Sequence, residues 1–214
     1  VKSIRDRYPR LILLLGSFDP ETKSILYMLR EHIAEQFTEH IYGMLIENIE
    51  VYLCRKDEEE YALIVEGGVS PVAYLYHLLD LVEVVSVGEG GDVGAKEAGE
   101  KLGIEVYERL PLLEKLKALL DIVCLVFLVR HRELTRGGEY IELTFLLDMG
   151  APPSKIKFLW NKSIPISSMV KELFAVYGFT IHPYVDSDEL RDEVHRIIYY
   201  NCLERYRLGG IKSY

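Results

Sequence analysis

The stretch Leu11-Ile12-Leu13-Leu14-Leu15-Gly16-Ser17-Phe18-Asp19-Pro20 decides the fold class. Five consecutive apolar residues have the length of a buried β-strand, and Gly16-Ser17 breaks the run. Asp19 is a side chain suited to receive the first free amides of a helix, and Pro20 fits the first helical position. Ile25, Leu26, Leu29, Ile33 and Phe37 follow at helical spacing, which predicts an amphipathic helix over 20–37. A strand, a tight turn and a capped helix open an α/β fold.

Working outward, the alternation continues. Strands are predicted at 44–55 and 61–66 around the charged run Arg55-Lys56-Asp57-Glu58-Glu59-Glu60, which reads as a solvated hairpin tip. Ser70-Pro71 reads as the start of a helix to Leu79, and Val82–Val87 as a strand. After the glycine-rich turn Gly88–Asp92 come a short helix to Leu102, a strand at Ile104–Tyr107 and a helix from Pro111. A buried strand, Ile122–Val129, leads through a loop to a helix over 139–149 that ends near Gly150. Then follow a strand at Ile156–Trp160, a helix from Ser167 or Ser168 to Tyr177 and a strand at Phe179–Pro183. A last helix starts at Asp186 and places Leu190, Val194, Ile197, Ile198 and Cys202 at core spacing. The expected fold is a three-layer α/β domain with a mostly parallel sheet, flavodoxin-like or Rossmann-like, spanning 1–214. Within it, 44–110 reads as an irregular elaboration on a core of 10–40 and 111–207.

Composition bounds the function. The 214 residues carry 25 Lys+Arg against 34 Asp+Glu, a net charge of −9, with 49% hydrophobic residues. That balance fits a globular domain and opposes broad nucleic-acid binding, which needs a basic surface to displace counterions. The longest clean apolar run is eight residues, where about 20 are needed to cross a bilayer. The N-terminal VKSIRDRYPR has no signal-peptide core, so a cytoplasmic location is the expectation. Three dispersed cysteines, Cys54, Cys124 and Cys202, read as reduced, buried thiols. A single Gln and three Asn beside many Glu and Lys suggest a thermophilic source. The histidines lack ligand spacing, so no metal is expected, nor any cofactor, and neither a GxSxG elbow nor a Cys/His dyad is apparent.

Doubly wound sheets bind ligands at the carboxyl ends of their strands, which directs attention to the segments just after each strand. Gly88–Asp92 is neither a dinucleotide fingerprint nor a P-loop, and reads as a plain turn. Arg130-His131-Arg132 leaves the most apolar strand, where cations beside helix amides suit phosphate or carboxylate; the alternative is pairing with nearby acids such as Glu133. Gly137-Gly138-Glu139-Tyr140-Ile141-Glu142-Leu143 sets Glu139 and Glu142 three apart on one helical face that also carries Leu146. A carboxylate there suits the positive charge that develops on a sugar as an N-glycosidic bond breaks. The alternative is a pair of ordinary first-turn acids favoured by the helix dipole.

Two segments carry a resemblance: Leu11–Phe37, with its strand ending in Gly16-Ser17-Phe18, and Asp121-Ile122-Val123 through Glu142-Leu143 to Gly150. They resemble the nucleoside deoxyribosyltransferase-like proteins, structural relatives of TIR domains. The resemblance implies Glu142 as the catalytic nucleophile or oxocarbenium stabiliser, with Glu139 positioning it and raising one pKa of the pair. It further implies Ser17, Phe18 and Asp19 against base or sugar, and Gly137 and Gly138 in the ligand loop. Arg130, His131 and Arg132 would meet phosphate, and Asn161 a hydroxyl. Those three basic residues replace acids common in the family, which fits a phosphorylated ligand. The implied function is nucleoside or nucleotide binding, with cleavage or transfer at the N-glycosidic bond, in a homodimer. The alternative is a non-catalytic nucleotide sensor or a TIR-like protein-interaction domain.

Overall fold

A computed structural model describes residues 10–17, 19–37, 41–68, 71–78, 80–89, 91–132 and 138–204, leaving aside the side chains of 80, 138–142 and 203–204. In chain order its elements begin with β1 (Arg10–Gly16), α1 (Pro20–Gln36), β2 (Ile41–Leu45), β3 (Ile49–Lys56), β4 (Glu59–Glu66), β5 (Val72–His77) and β6 (Asp80–Ser86). They continue with α2 (Asp92–Leu102), β7 (Glu105–Arg109), α3 (Leu112–Ile122), β8 (Leu125–Arg130) and α4 (Gly138–Asp148). The last are β9 (Ile156–Asn161), α5 (Ser168–Tyr177), β10 (Ile181–Tyr184) and α6 (Ser187–Ile198), which a π-helical turn prolongs to Glu204. The described residues divide into two compact units, 10–43 with 124–204, and 44–123.

The first unit holds a five-stranded sheet in the order β2-β1-β8-β9-β10. β1, β8, β9 and β10 pair in parallel, with Ile12 opposite Leu125, Val126 opposite Ile156 and Phe158 opposite Ile181. Leu11–Leu15 and Leu125–Val129 are buried, as strands covered on both faces require. The helix ends are set by local chemistry. Asp19 Oδ1 accepts the amides of Glu21 and Thr22, both at 3.1 Å, and Pro20 opens α1. Ser167 caps α5, Gly178 closes it at φ 72°, and Asp186 caps α6. At Gly16 a Cβ would lie 3.0 Å from the carbonyl oxygen of Val129 and 3.1 Å from Thr22, so the glycine lets α1 leave β1 tightly against β8.

The second unit is an antiparallel sheet in the order β6-β5-β4-β3-β7. Tyr52, Cys54, Leu63, Val65, Ala73 and Leu75 from its strands meet Ala95, Ala98 and Leu102 of α2 in one apolar cluster. Tyr52 donates to Asp92 at 2.7 Å, fastening the start of α2 to β3. Lys115 of α3 is buried, and its ammonium donates to the carbonyls of Ile46 and Ile49 at 3.1 and 2.7 Å, holding α3 at the entry to β3.

Several expectations need correction. The sheet is not single: the first unit is parallel, but 44–123 forms a separate antiparallel sheet and is regular rather than an irregular elaboration. The α3 helix, expected in the core made with 10–40, belongs to that unit. The predicted strand 44–55 is two strands in different sheets, separated by a turn of 3-10 helix at Ile46–Asn48. The predicted helix 71–79 is β5: its six residues, with one Val and two Tyr, put Ala73 and Leu75 toward α2 and Tyr74 and Tyr76 on the other face. Asp121 and Ile122 end α3, so the strand expected from Ile122 begins only at Leu125. Cys54 and Cys202 are buried free thiols, as expected, whereas Cys124 is only half-buried. No helix among the described residues is long and apolar enough to cross a membrane.

Candidate functional site

In the first unit the order of strands reverses direction between β1 and β8, because the chain runs from β1 outward to β2 and later from β8 outward to β10. Connections leaving a parallel sheet in opposite directions diverge at that point, and their loops leave a crevice at the carboxyl ends. The segments there are Gly16–Asp19 after β1 and Arg130–Arg132 after β8. Asn161 and Tyr184 end β9 and β10.

The structure joins the two sides. Arg132, on the β8 side, lies 3.8 Å from Asp19 Oδ1 and 3.3 Å from Glu21 Oε1, on the α1 side. Asp19 is therefore shared between the helix amides and the guanidinium. Burial works against its charge, but hydrogen bonds from Thr22, Ser17 and Glu21 outweigh it and hold the carboxyl below its ordinary pKa. Its anion is fixed at neutral pH.

His131 is positioned from the other direction. The hydroxyl of Tyr184 donates to the carbonyl of Arg130 at 3.3 Å and lies 3.1 Å from His131 Nδ1. The hydroxyl thus lies within hydrogen-bond distance of both groups and holds the imidazole ring against β10, the tautomer of His131 deciding which of the two donates. Burial pushes the Tyr184 hydroxyl well up, keeping its proton in place. Asn161 donates from Nδ2 to the carbonyl of His131 at 3.0 Å and accepts the amide of Ser163 at 3.0 Å. Its amide thus braces the β8 loop. Arg130 is buried, its guanidinium 4.6 Å from the centre of the Trp160 ring.

The sequence-named residues fall into three groups. Ser17, Asp19, Arg130, His131, Arg132 and Asn161 gather at the carboxyl ends of β1, β8 and β9. Gly138, Glu139 and Glu142 lie on α4, which packs on β8, and Leu143 and Leu146 on that helix are buried. The side chains of Glu139 and Glu142, and all of Phe18, Glu133 and Gly137, lie outside the described residues. Gly88–Asp92 belongs to the antiparallel unit. There Glu97 accepts the Gly88 amide at 2.5 Å and Lys101 donates to the carbonyl of Ser86, so the side chains of α2 brace this turn.

The sequence reading missed Tyr184, Trp160 and Glu21. Tyr184 had a signal, an aromatic residue with a polar tip closing a strand on the functional edge. Glu21 had none, since its partner Arg132 comes from a distant strand. Among the described residues, no three His, Cys, Asp or Glu side chains are grouped to hold a metal ion. No protein-family model matches the chain, and no curated protein matches it.

Proposed function

We propose that the parallel unit is a three-layer, flavodoxin-like domain that binds a nucleoside or nucleotide at the carboxyl ends of β1, β8 and β9. Numbered by position within the unit, its strand order is 2-1-3-4-5, the doubly wound order that binds ligands at the β1/β3 switch point. The right-handed rule for parallel crossovers would put α1 on one face and α4 and α5 on the other; α1 packs on β1, α4 on β8, and α6 on α1. The observation that carries the reading is the convergence of Asp19, Arg132 and an oriented His131 on that switch point.

The amides at the start of α1 are already taken by Asp19, so a phosphate would be met by Arg132 and His131 and not by that helix end. Arg132 is about half exposed and can turn from Glu21 to an incoming anion. The His131 ring, held beside Tyr184, offers a further polar contact to that anion. The enzymatic form of the reading is cleavage or transfer at the N-glycosidic bond, with Glu142 opposing the charge on the sugar.

A thermal-shift screen against nucleosides, mono- and dinucleotides and NAD, with analysis of products for free base, tests this. Saturating ligand at about 100 times its Kd adds about 2.7 kcal/mol of stability and raises the Tm. Arg132→Ala should weaken phosphorylated ligands roughly tenfold and leave nucleosides unchanged. Glu142→Gln should abolish base release and keep the shift. A shift without product overturns the glycosidic chemistry and leaves a binding module; no shift with any of these ligands overturns the reading.

A further inference from the structure

Cys124 and Cys202 lie 78 positions apart in sequence, yet their sulfur atoms are 3.0 Å apart. Cys124 immediately precedes β8, and Cys202 lies in the π-helical turn that prolongs α6. Both backbones are anchored. The Cys124 amide donates to the carbonyl of Leu11 at 2.8 Å, and the Arg10 guanidinium donates to the carbonyl of Cys202. The pair is therefore held together by β1, and each sulfur has the other as its thiol neighbour; Cys54 belongs to the other unit.

We propose that Cys124 and Cys202 form an oxidisable pair which a hydroperoxide closes to a disulfide, tying the end of α6 to the entry of β8. A disulfide places its sulfurs about 2.05 Å apart, so closure asks for an approach of only about 1 Å. At 3.0 Å either thiol can donate to the other, and the Arg10 guanidinium beside the pair favours a thiolate there. One of the two thiols gives up its proton, and its thiolate attacks one peroxide oxygen; the O–O bond breaks, and hydroxide leaves and is protonated to water. The partner sulfur then attacks that sulfenic sulfur; the S–S bond forms, the S–O bond breaks, and the partner's proton leaves with the hydroxide as a second water. Two thiols and one peroxide give one disulfide and two waters. Cys124 is half-buried and gives a small oxidant its approach, whereas Cys202 is 1% exposed, which shields the product from larger thiols.

The full-length protein, reduced with dithiothreitol, desalted and treated with hydrogen peroxide, is alkylated in denaturant and digested without reductant. The expected result is a linked peptide pair containing Cys124 and Cys202, with Cys54 alkylated and the intact mass lower by two hydrogens. The loop closed is long, so the Tm of the oxidised protein should rise by about 10 °C and return on reduction. Cys54→Ser should behave as the parent, and Cys202→Ala should show no peroxide-dependent rise. Recovery of Cys124 and Cys202 as alkylated thiols, or as sulfinic acids, overturns the pairing. A linked pair without a rise in Tm overturns the tie. The unsubstituted protein alone decides both points, whether or not either variant folds.

Discussion

At Asp19 one carboxylate closes the first turn of α1 and faces a guanidinium delivered by β8. Replacing it by alanine should cost about 1 kcal/mol at neutral pH, the usual worth of such a cap. The cost should depend on pH in a defined direction. Burial opposes the charge, but the hydrogen bonds from Thr22, Ser17 and Glu21 prevail, so the folded chain holds this proton less tightly than the unfolded chain. The contribution is then complete above the ordinary carboxylate range and is lost as pH falls through the lowered value. Urea midpoints of the parent and Asp19→Ala should therefore converge below about pH 4. A gap that stays constant with pH would mean that the hydrogen bonds matter and the charge does not. The cap was legible because it is local, an Asp followed by Pro before a periodic run. The pairing with Arg132 was not, since it depends on β1 and β8 being neighbours although their matched positions, such as Ile12 and Leu125, are 113 apart in sequence.

The same division between local and distant information governs the elements. Helices α1, α5 and α6 begin and end where Asp19, Ser167, Gly178 and Asp186 say they should. Strand β5 escaped the reading because Ser70-Pro71 imitates a helix start, and the six residues after Pro71 are apolar toward both faces and so show no alternation. The β3–β4 hairpin is the favourable opposite. Lys56 pairs with Glu59 across a two-residue loop, and Asp57 and Glu58 take φ of 49° and 69°. Positive φ at both positions is the turn whose twist matches the flanking strands, and glycine is preferred at the second. A glutamate there is strained against its own backbone by about 1 kcal/mol. Glu58→Gly should recover about that amount as a higher urea midpoint. An unchanged or lowered midpoint would show that the glutamate side chain or the stiffness it gives the unfolded chain outweighs the strain.

On the scale of the whole chain, the alternation of strands and helices suggested one sheet, and the molecule has two. The confusion has a physical source. β6, α2, β7 and α3 follow each other as strand, helix, strand, helix, the same order that a parallel unit produces, yet β7 pairs antiparallel with β3 at the far edge of the sheet, so the connection through α2 crosses β5, β4 and β3 and does not lay β7 beside β6. What separates the cases is which strands become neighbours, and that is decided by burial across long stretches of chain. The antiparallel unit has the requirements of an independent folding unit. Its described residues form one continuous stretch, 44–123, and its strands enclose their own apolar cluster with α2. The buried Lys115 finds both its carbonyl partners, at Ile46 and Ile49, within it. A fragment of residues 46–123 keeps every one of these groups and leaves β2 to the parallel sheet. That fragment should unfold in urea as one cooperative transition, with dispersed amide resonances before it. Removing Lys115 from it tests the same cohesion. Lys115→Met keeps the apolar stem but leaves two buried carbonyls without their donor, and should cost about 1–3 kcal/mol. A fragment that is collapsed but melts without cooperativity would mean that its core is completed by the rest of the chain, and that the two sheets fold as one.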